Sequence, residues 1–301
     1  MPKVPNTQTG SLTHDQHGTN DSLTGAPGVT NDLVGDAALM FDHSKGGKDT
    51  LIGGVDAFNQ FHGDAFAMFA SAHGGDDTLT GGTGSLNILY GDAGSMSGKA
   101  HGGNDKVIGG DSSTNFLHGD AFSMADNSHG GDDKLFGGTN ATNFLVGDAA
   151  SASGHAHCGN DKLVAGDNST NTLIGDVDSL FDHARGGNDK LISGTGTDFM
   201  WGDSLFINTV AAFPNVPLGS VRTGEDKFVF GPNNGNDVIN DFRQSDHDEI
   251  DVRAYGFHHL SDMTLTAVGG DTKIAFDANN SVTLVGISDP SVLRGSDFIL
   301  A

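Results

Sequence analysis

The sequence predicts an all-β protein, a parallel β-roll or β-solenoid of about seven 28-residue coils followed by a β-rich C-terminal capping domain. The first observation behind this is a repeat. The motif HGGNDKVIGGDSSTNFLHGDAFSMADNS, residues 101–128, recurs from His17, Lys45, His73, His101, His129, His157 and Arg185, and only the last copy loses a residue. The second is local pattern: short apolar runs alternate with Gly, Asn and Asp clusters, and no helical apolar period survives across the glycines. The third is register. Apolar and acidic residues hold fixed positions in every copy, so stacked copies turn them into columns one strand spacing, about 4.8 Å, apart.

Residues 1–16 are polar and turn-rich and read as a flexible tail. Residues 17–212 are the repeats. Within a copy, Asp105 to Ile108 reads as a strand closed by Gly109-Gly110, and Asn115 to His118 as a second closed by Gly119-Asp120. A third, less regular run spans Ala121 to Ala125. One apolar column is Leu23, Leu51, Leu79, Val107, Leu135, Leu163 and Leu191; a second is Leu33, Phe61, Leu89, Leu117, Leu145, Leu173 and Met200. The third run adds Met40, Met68, Met96, Met124, Ala152 and Leu180, which read as flexible apolar filler rather than a soft-metal track. Residues Ile88, Phe116 and Phe144, with Tyr90, His118, Val146, Ile174 and Trp201, flank the second column and are expected to form an outward strip. The period stops at Phe213, and residues 213–301 carry irregular strands suited to covering the last apolar layer.

The 301 residues include 46 Gly and set 15 Lys+Arg against 39 Asp+Glu, a net charge of −24. That balance repels nucleic acid and anionic membranes and favours cations. The single cysteine, Cys158, leaves no internal disulfide. No apolar run approaches the roughly 20 residues that span a bilayer.

Two acidic columns stand out: Asp21, Asp49, Asp77, Asp105, Asp133, Asp161 and Asp189 at the fifth position, and Asp36, Asp64, Asp92, Asp120, Asp148, Asp176 and Asp203 in Gly-Asp pairs. At strand spacing each adjacent carboxylate pair repels by roughly 1 kcal/mol in water and several times that when partly desolvated. Isolated Asp residues of this kind serve as turn formers, but two columns in register call for cations between the rungs. Oxygen-only ligands suit a hard ion, and calcium accepts 6–8 of them in flexible geometry.

The segments GGNDKVIGG, GGDDKLFGG and GGNDKLISG (residues 102–110, 130–138 and 186–194) resemble the repeats of hemolysin-type, repeats-in-toxin (RTX) proteins. GNDVINDF and DEIDV (residues 235–242 and 248–252) resemble the cap that follows serralysin-type proteases in that family. The resemblance implies a parallel β-roll with several calcium ions stacked between turns, ligated by the fifth-position Asp column, the Gly-Asp column and Asp237. The family unit is nine residues, whereas here it is 28, with Asn where a second motif would have Asp. The family also implies folding on calcium, passage through a type I secretion apparatus and an extracellular, secreted location. The absence of an apolar N-terminal leader and the ending Ser296-Asp297-Phe298-Ile299-Leu300-Ala301 point the same way.

Of 14 histidines, His17, His73, His101, His129 and His157 open repeats, and His43, His155 and His183 fall two residues before one. His155, His157 and Cys158 could ligate zinc or nickel, but Lys45 and Arg185 share the opening column, which favours stacked turn residues. No Ser-His-Asp order, zinc-protease helix, phosphate loop or dinucleotide fingerprint is present. The reading is a non-enzymatic calcium-binding protein. Its rivals are an adhesin binding polysaccharide or a cell surface through the outward strip, and a polysaccharide lyase or epimerase on a solenoid face.

Overall fold

The computed structural model describes residues 3–6, 10–207 and 221–301. The expected boundary between repeats and cap, at residues 212–213, lies outside the described residues. The fold is a nearly all-β solenoid of about seven turns, with strands 28 residues apart stacked parallel. The coil beginning at His101 shows the unit, with strands Lys106–Ile108, Thr114–His118 and Ala121–Met124. Each strand type builds its own sheet, of 10, 12 and 8 strands respectively. Val107 lies between Leu79 and Leu135, Leu117 between Leu89 and Leu145, and Met124 between Met96 and Ala152. A fourth line of single parallel bridges joins His73, His101, His129 and His157.

Inward residues form two apolar clusters. The two leucine-rich columns fill one, between the 10- and 12-stranded sheets. The methionine column fills the other with Ala37, Ala65, Ala93 and Ala121, opposite Ala72, Ala100, Ala156 and Ala184. The Met side chains are therefore core filler.

At the N-terminal end Lys3–Asn6 pairs with Thr30–Val34 and Ser11–Leu12 pairs with Ala37–Met40, so these two strands each extend one sheet. Beyond the expected end of the repeats the period resumes. Arg222 bridges Arg185, and Lys227–Val229 pairs with Lys190–Ile192, so residues 222–229 rebuild the first third of an eighth copy. The C-terminal region continues the same sheets. Asn236–Ile239 and Ser281–Leu284 extend the 12-stranded sheet before it turns antiparallel through Asp271–Ala275 and Thr264–Val268. The ten-stranded sheet ends with Glu249–Asp251 and Phe298–Ile299, which carry the leucine column on from Phe228 as Ile250 and Phe298. Phe298–Ile299 is thus the edge strand of this sheet, with Phe298 in the core.

The expected outward strip needs correction. Ile88, Phe116 and Phe144 are at least partly exposed, but Tyr90, His118, Val146 and Ile174 are buried. The chain turns sharply at each Gly-Asp pair, which brings the outer face of the eight-stranded sheet over the strand ends. Phe66 and Phe122 meet His62 and Tyr90 edge-on, with centroids 5.0 and 6.4 Å apart. The row is the floor of a re-entrant groove. No described helix is long and apolar enough to cross a membrane.

Candidate metal centre

Every coil crosses between its two apolar clusters twice, and each crossing places an aspartate in the interior. Asp105 lies between Ala100, of the alanine-methionine cluster, and Val107, of the leucine cluster; Asp120 lies between Leu117 and Ala121. From Asp49 to Asp189 and from Asp64 to Asp203 both columns are at most 2% exposed, while Asp21 and Asp36, at the open end, are half-buried.

The backbone satisfies one half of each carboxylate. In the fifth-position column Oδ1 accepts the N–H of the preceding rung: Asp77 to Asp105 at 2.6 Å, Asp105 to Asp133 at 2.6 Å, Asp133 to Asp161 at 2.7 Å. In the Gly-Asp column an oxygen accepts a glycine N–H from the next coil, as Asp120 does from Gly131 at 2.9 Å and Asp148 from Gly159 at 2.7 Å. In most rungs the other half has nothing; Asp92 is an exception, since both its oxygens accept the Gly103 N–H. Among the described residues, one buried oxygen each of Asp49, Asp64, Asp77, Asp105, Asp120, Asp133, Asp148, Asp161, Asp176, Asp189 and Asp226 lacks a hydrogen-bond partner. An unpaired buried charge costs far more than an unpaired neutral dipole, and native interiors rarely leave such groups unmatched.

The two columns interleave. Asp36 of one coil and Asp49 and Asp64 of the next each bring an oxygen within 4.8 Å of the others. Glycine makes the room: a Cβ at Gly119 would lie 2.0 Å from Asp133 Oδ2, and one at Gly102 1.9 Å from Asp120 Oδ1. Burial, reinforced by neighbouring carboxylates, pushes Asp49 up to about 7 and Asp77 up to about 8. The same causes hold Asp105, Asp120, Asp133 and Asp148 well above the usual carboxylate range. Without a counter-charge these groups resist ionising.

The C-terminal end is closed differently. Asp226 and Asp248 continue the fifth-position column, accepting N–H bonds from Asp189 at 2.9 Å and Asp226 at 3.0 Å. Asp203, last of the Gly-Asp column, pairs with the guanidinium of Arg243, which also lies 3.8 Å from Asp246. Asp241 accepts from the Gly202 and Asp203 N–H groups. Asp226 was legible in the sequence, because Thr223-Gly224-Glu225-Asp226-Lys227-Phe228 repeats the motif after the break. Asp241, Asp248 and Arg243 carry no repeat signature.

Asp237 joins neither column. It ends a separate buried ladder of Asn31, Asn59, Asn87, Asn115, Asn143, Asn171 and Asp198, reached through the bond from Asp198 N–H to Asp237 Oδ1 at 3.0 Å. Asp237 Oδ2 accepts from Asn234 and Ser193. The histidines that open repeats lie outside, with successive rings from His73 to His157 stacked 4.6 to 4.9 Å apart. His155 stacks on His183 at 4.9 Å.

The fold and these columns define a class: a parallel β-solenoid whose interior is a ladder of incompletely paired carboxylates. No protein-family profile and no curated protein matches the chain.

Proposed function

We propose that this is a calcium-binding protein of the RTX kind, whose repeats fold by taking calcium ions between the rungs of the two aspartate columns. The observation that carries the reading is the series of buried carboxylate oxygens without donors, cradled by glycines that leave no room for a side chain. The donor set is hard oxygen throughout most of its length, which suits calcium. The residues that would hold the ions are Asp49 to Asp189 of the fifth-position column and Asp36 to Asp176 of the Gly-Asp column. Bound calcium would supply charge neutralisation and cross-linking of coils rather than chemistry, so its binding energy appears as folding energy. Weak sites with dissociation constants of order 0.1–1 mM work in extracellular calcium, and the reading includes export and a location outside the cell. The test is a calcium titration of chelator-treated protein by calorimetry, with elemental analysis. Several calcium ions per chain are expected; retention of none after dialysis against millimolar calcium would refute the reading.

The groove favours a second, compatible role in neutral glycan binding. It has a volume of about 350 Å³ and is lined by Ile88, Tyr90, Phe116, His118, Phe122 and Phe144. Tyr90 and His118 stack along its floor at 5.1 Å, and Asp178 adds a carboxylate to its lining. Apolar walls with a few fixed polar groups suit a sugar's C–H faces and hydroxyls, and the net charge of −24 disfavours anionic chains. Neutral glycan binding by the calcium-loaded protein, lost in Phe122→Ala, is the expected result; equal binding by the variant would exclude the groove.

A further inference from the structure

The sixth coil breaks the glycine rule at one place. The residue after the opening His, Lys or Arg is Gly18, Gly46, Gly74, Gly102, Gly130 and Gly186 in six coils, and Cys158 in the other. Its backbone does what the glycines do: Cys158 N–H donates to Arg185 at 2.9 Å, as Gly102 N–H donates to His129 at 2.8 Å. At the glycine positions a Cβ would meet a carboxylate at once, 2.0 Å from Asp148 at Gly130 and 2.2 Å from Asp176 at Gly186. Cys158 therefore directs its thiol into the column, where the sulfur and one oxygen each of Asp148 and Asp176 lie within 4.8 Å of one another. Both aspartates are fully buried, and each keeps an Oδ2 without a partner.

We propose that Asp148, Cys158 and Asp176 form a site for a thiophilic divalent ion of the zinc class, distinct from the oxygen-only rungs. A thiolate with two carboxylates matches the ligands zinc takes, whereas calcium gains nothing from sulfur. Burial, with the charges of Asp148, Asp176, Asp189 and Asp161, pushes the thiol's pKa well up, so the metal-free cysteine is a protonated, inert thiol. Binding the ion breaks the S–H bond and forms a metal–sulfur bond, and the proton leaves to solvent. His155 and His157 are not needed, since their rings stack on His183 and His129. The assignment stands on this rung's geometry whatever cation fills the others.

The test uses the full chain in calcium with cadmium as probe, following thiolate-to-cadmium charge-transfer absorption. A band saturating at one equivalent is expected. Cys158→Gly gives the sixth coil the residue of its neighbours, so it should keep the native circular dichroism and lose the band. Asp148→Asn and Asp176→Asn should each weaken cadmium binding on the order of tenfold or more. Absence of the band, its persistence in Cys158→Gly, or equal affinity in both Asp→Asn variants would overturn the site. Cadmium binding at one equivalent by a chain that takes up no calcium would leave this site standing and reject the calcium reading alone.

Discussion

The asparagine ladder and the aspartate columns run through one interior, at the same 28-residue spacing and the same near-zero exposure, yet they end in opposite states. Asn115 is complete. Its Oδ1 accepts from Gly110 N–H at 2.9 Å and Asn87 at 2.8 Å, and its Nδ2 donates to Gly110 O at 2.9 Å and Asn143 at 2.7 Å. An amide carries both a donor and acceptors, so a stack of identical amides satisfies itself. A carboxylate only accepts; a stack of identical carboxylates must import its donors, and the backbone supplies just one side. One ladder is therefore self-satisfied and the other keeps buried acceptors without donors. The ends show the same rule, because where no further identical coil follows, Asp203 takes Arg243 as its partner.

The comparison breaks most visibly on calcium removal. If the columns depend on cations, chelator should convert the β spectrum in circular dichroism to that of a coil across the repeats, and calcium should restore it cooperatively. A full β spectrum after elemental analysis has verified ion removal would show that the asparagine spine suffices alone. Changing the pH tests the same dependence with opposite signs for metal-free and calcium-loaded protein. The folded-state values of Asp49, about 7, and Asp77, about 8, exceed the ordinary 3.8, so between those limits the folded chain binds more protons than the unfolded one. Stability of the metal-free protein should therefore be highest near pH 4 and fall as pH rises through 7 to 8. Calcium-loaded protein should show the reverse trend, as protons compete with the ion.

Exchanging the two ladders sharpens the contrast further. Asn115→Asp puts a carboxylate against the Gly110 and Asn143 oxygens that now accept bonds, and should cost on the order of 3 kcal/mol at neutral pH in denaturant melts. Asp105→Ala with Asp133→Ala removes two adjacent rungs and should raise the calcium midpoint of folding while lowering the number of ions bound. Replacing Arg243 with Gln strips Asp203 of its guanidinium, and about 1–3 kcal/mol of stability should go with it. The smallest effect belongs outside the columns: His155→Asn with His157→Asn should change stability by less than about 0.5 kcal/mol and leave calcium-dependent folding intact.

Which of these features the sequence discloses follows from what repetition can encode. A 28-residue period forces like residues to stack, so Leu117 over Leu89 and Asp133 over Asp105 were legible before any coordinate. The asparagine column was visible too, but its reciprocal bonding was not, since that depends on the Gly109-Gly110 turn folding back against the Asn115 side chain. Asp237 shows the limit of local motif reading. Its Gly-Asn-Asp setting matches the acidic repeats, yet its strand pairs with Phe199-Met200 of the asparagine-bearing sheet, and strand pairing decides the column.

The sequence by itself determined the period, the parallel all-β stack, the composition of each column and the excess of negative charge, because these need only translation of one motif along one axis. Tertiary structure decided what lies across that axis. It set the Gly-Asp corners that interleave two aspartate columns 15 residues apart in the chain. It turned the Tyr90 and His118 row into a groove floor, aimed Cys158 inward while its neighbouring histidines stack outside, and delivered Arg243 to Asp203 across 40 residues. Those contacts join unlike parts of a coil or non-repeating segments. They depend on how the backbone bends between strands, and no period records that bend.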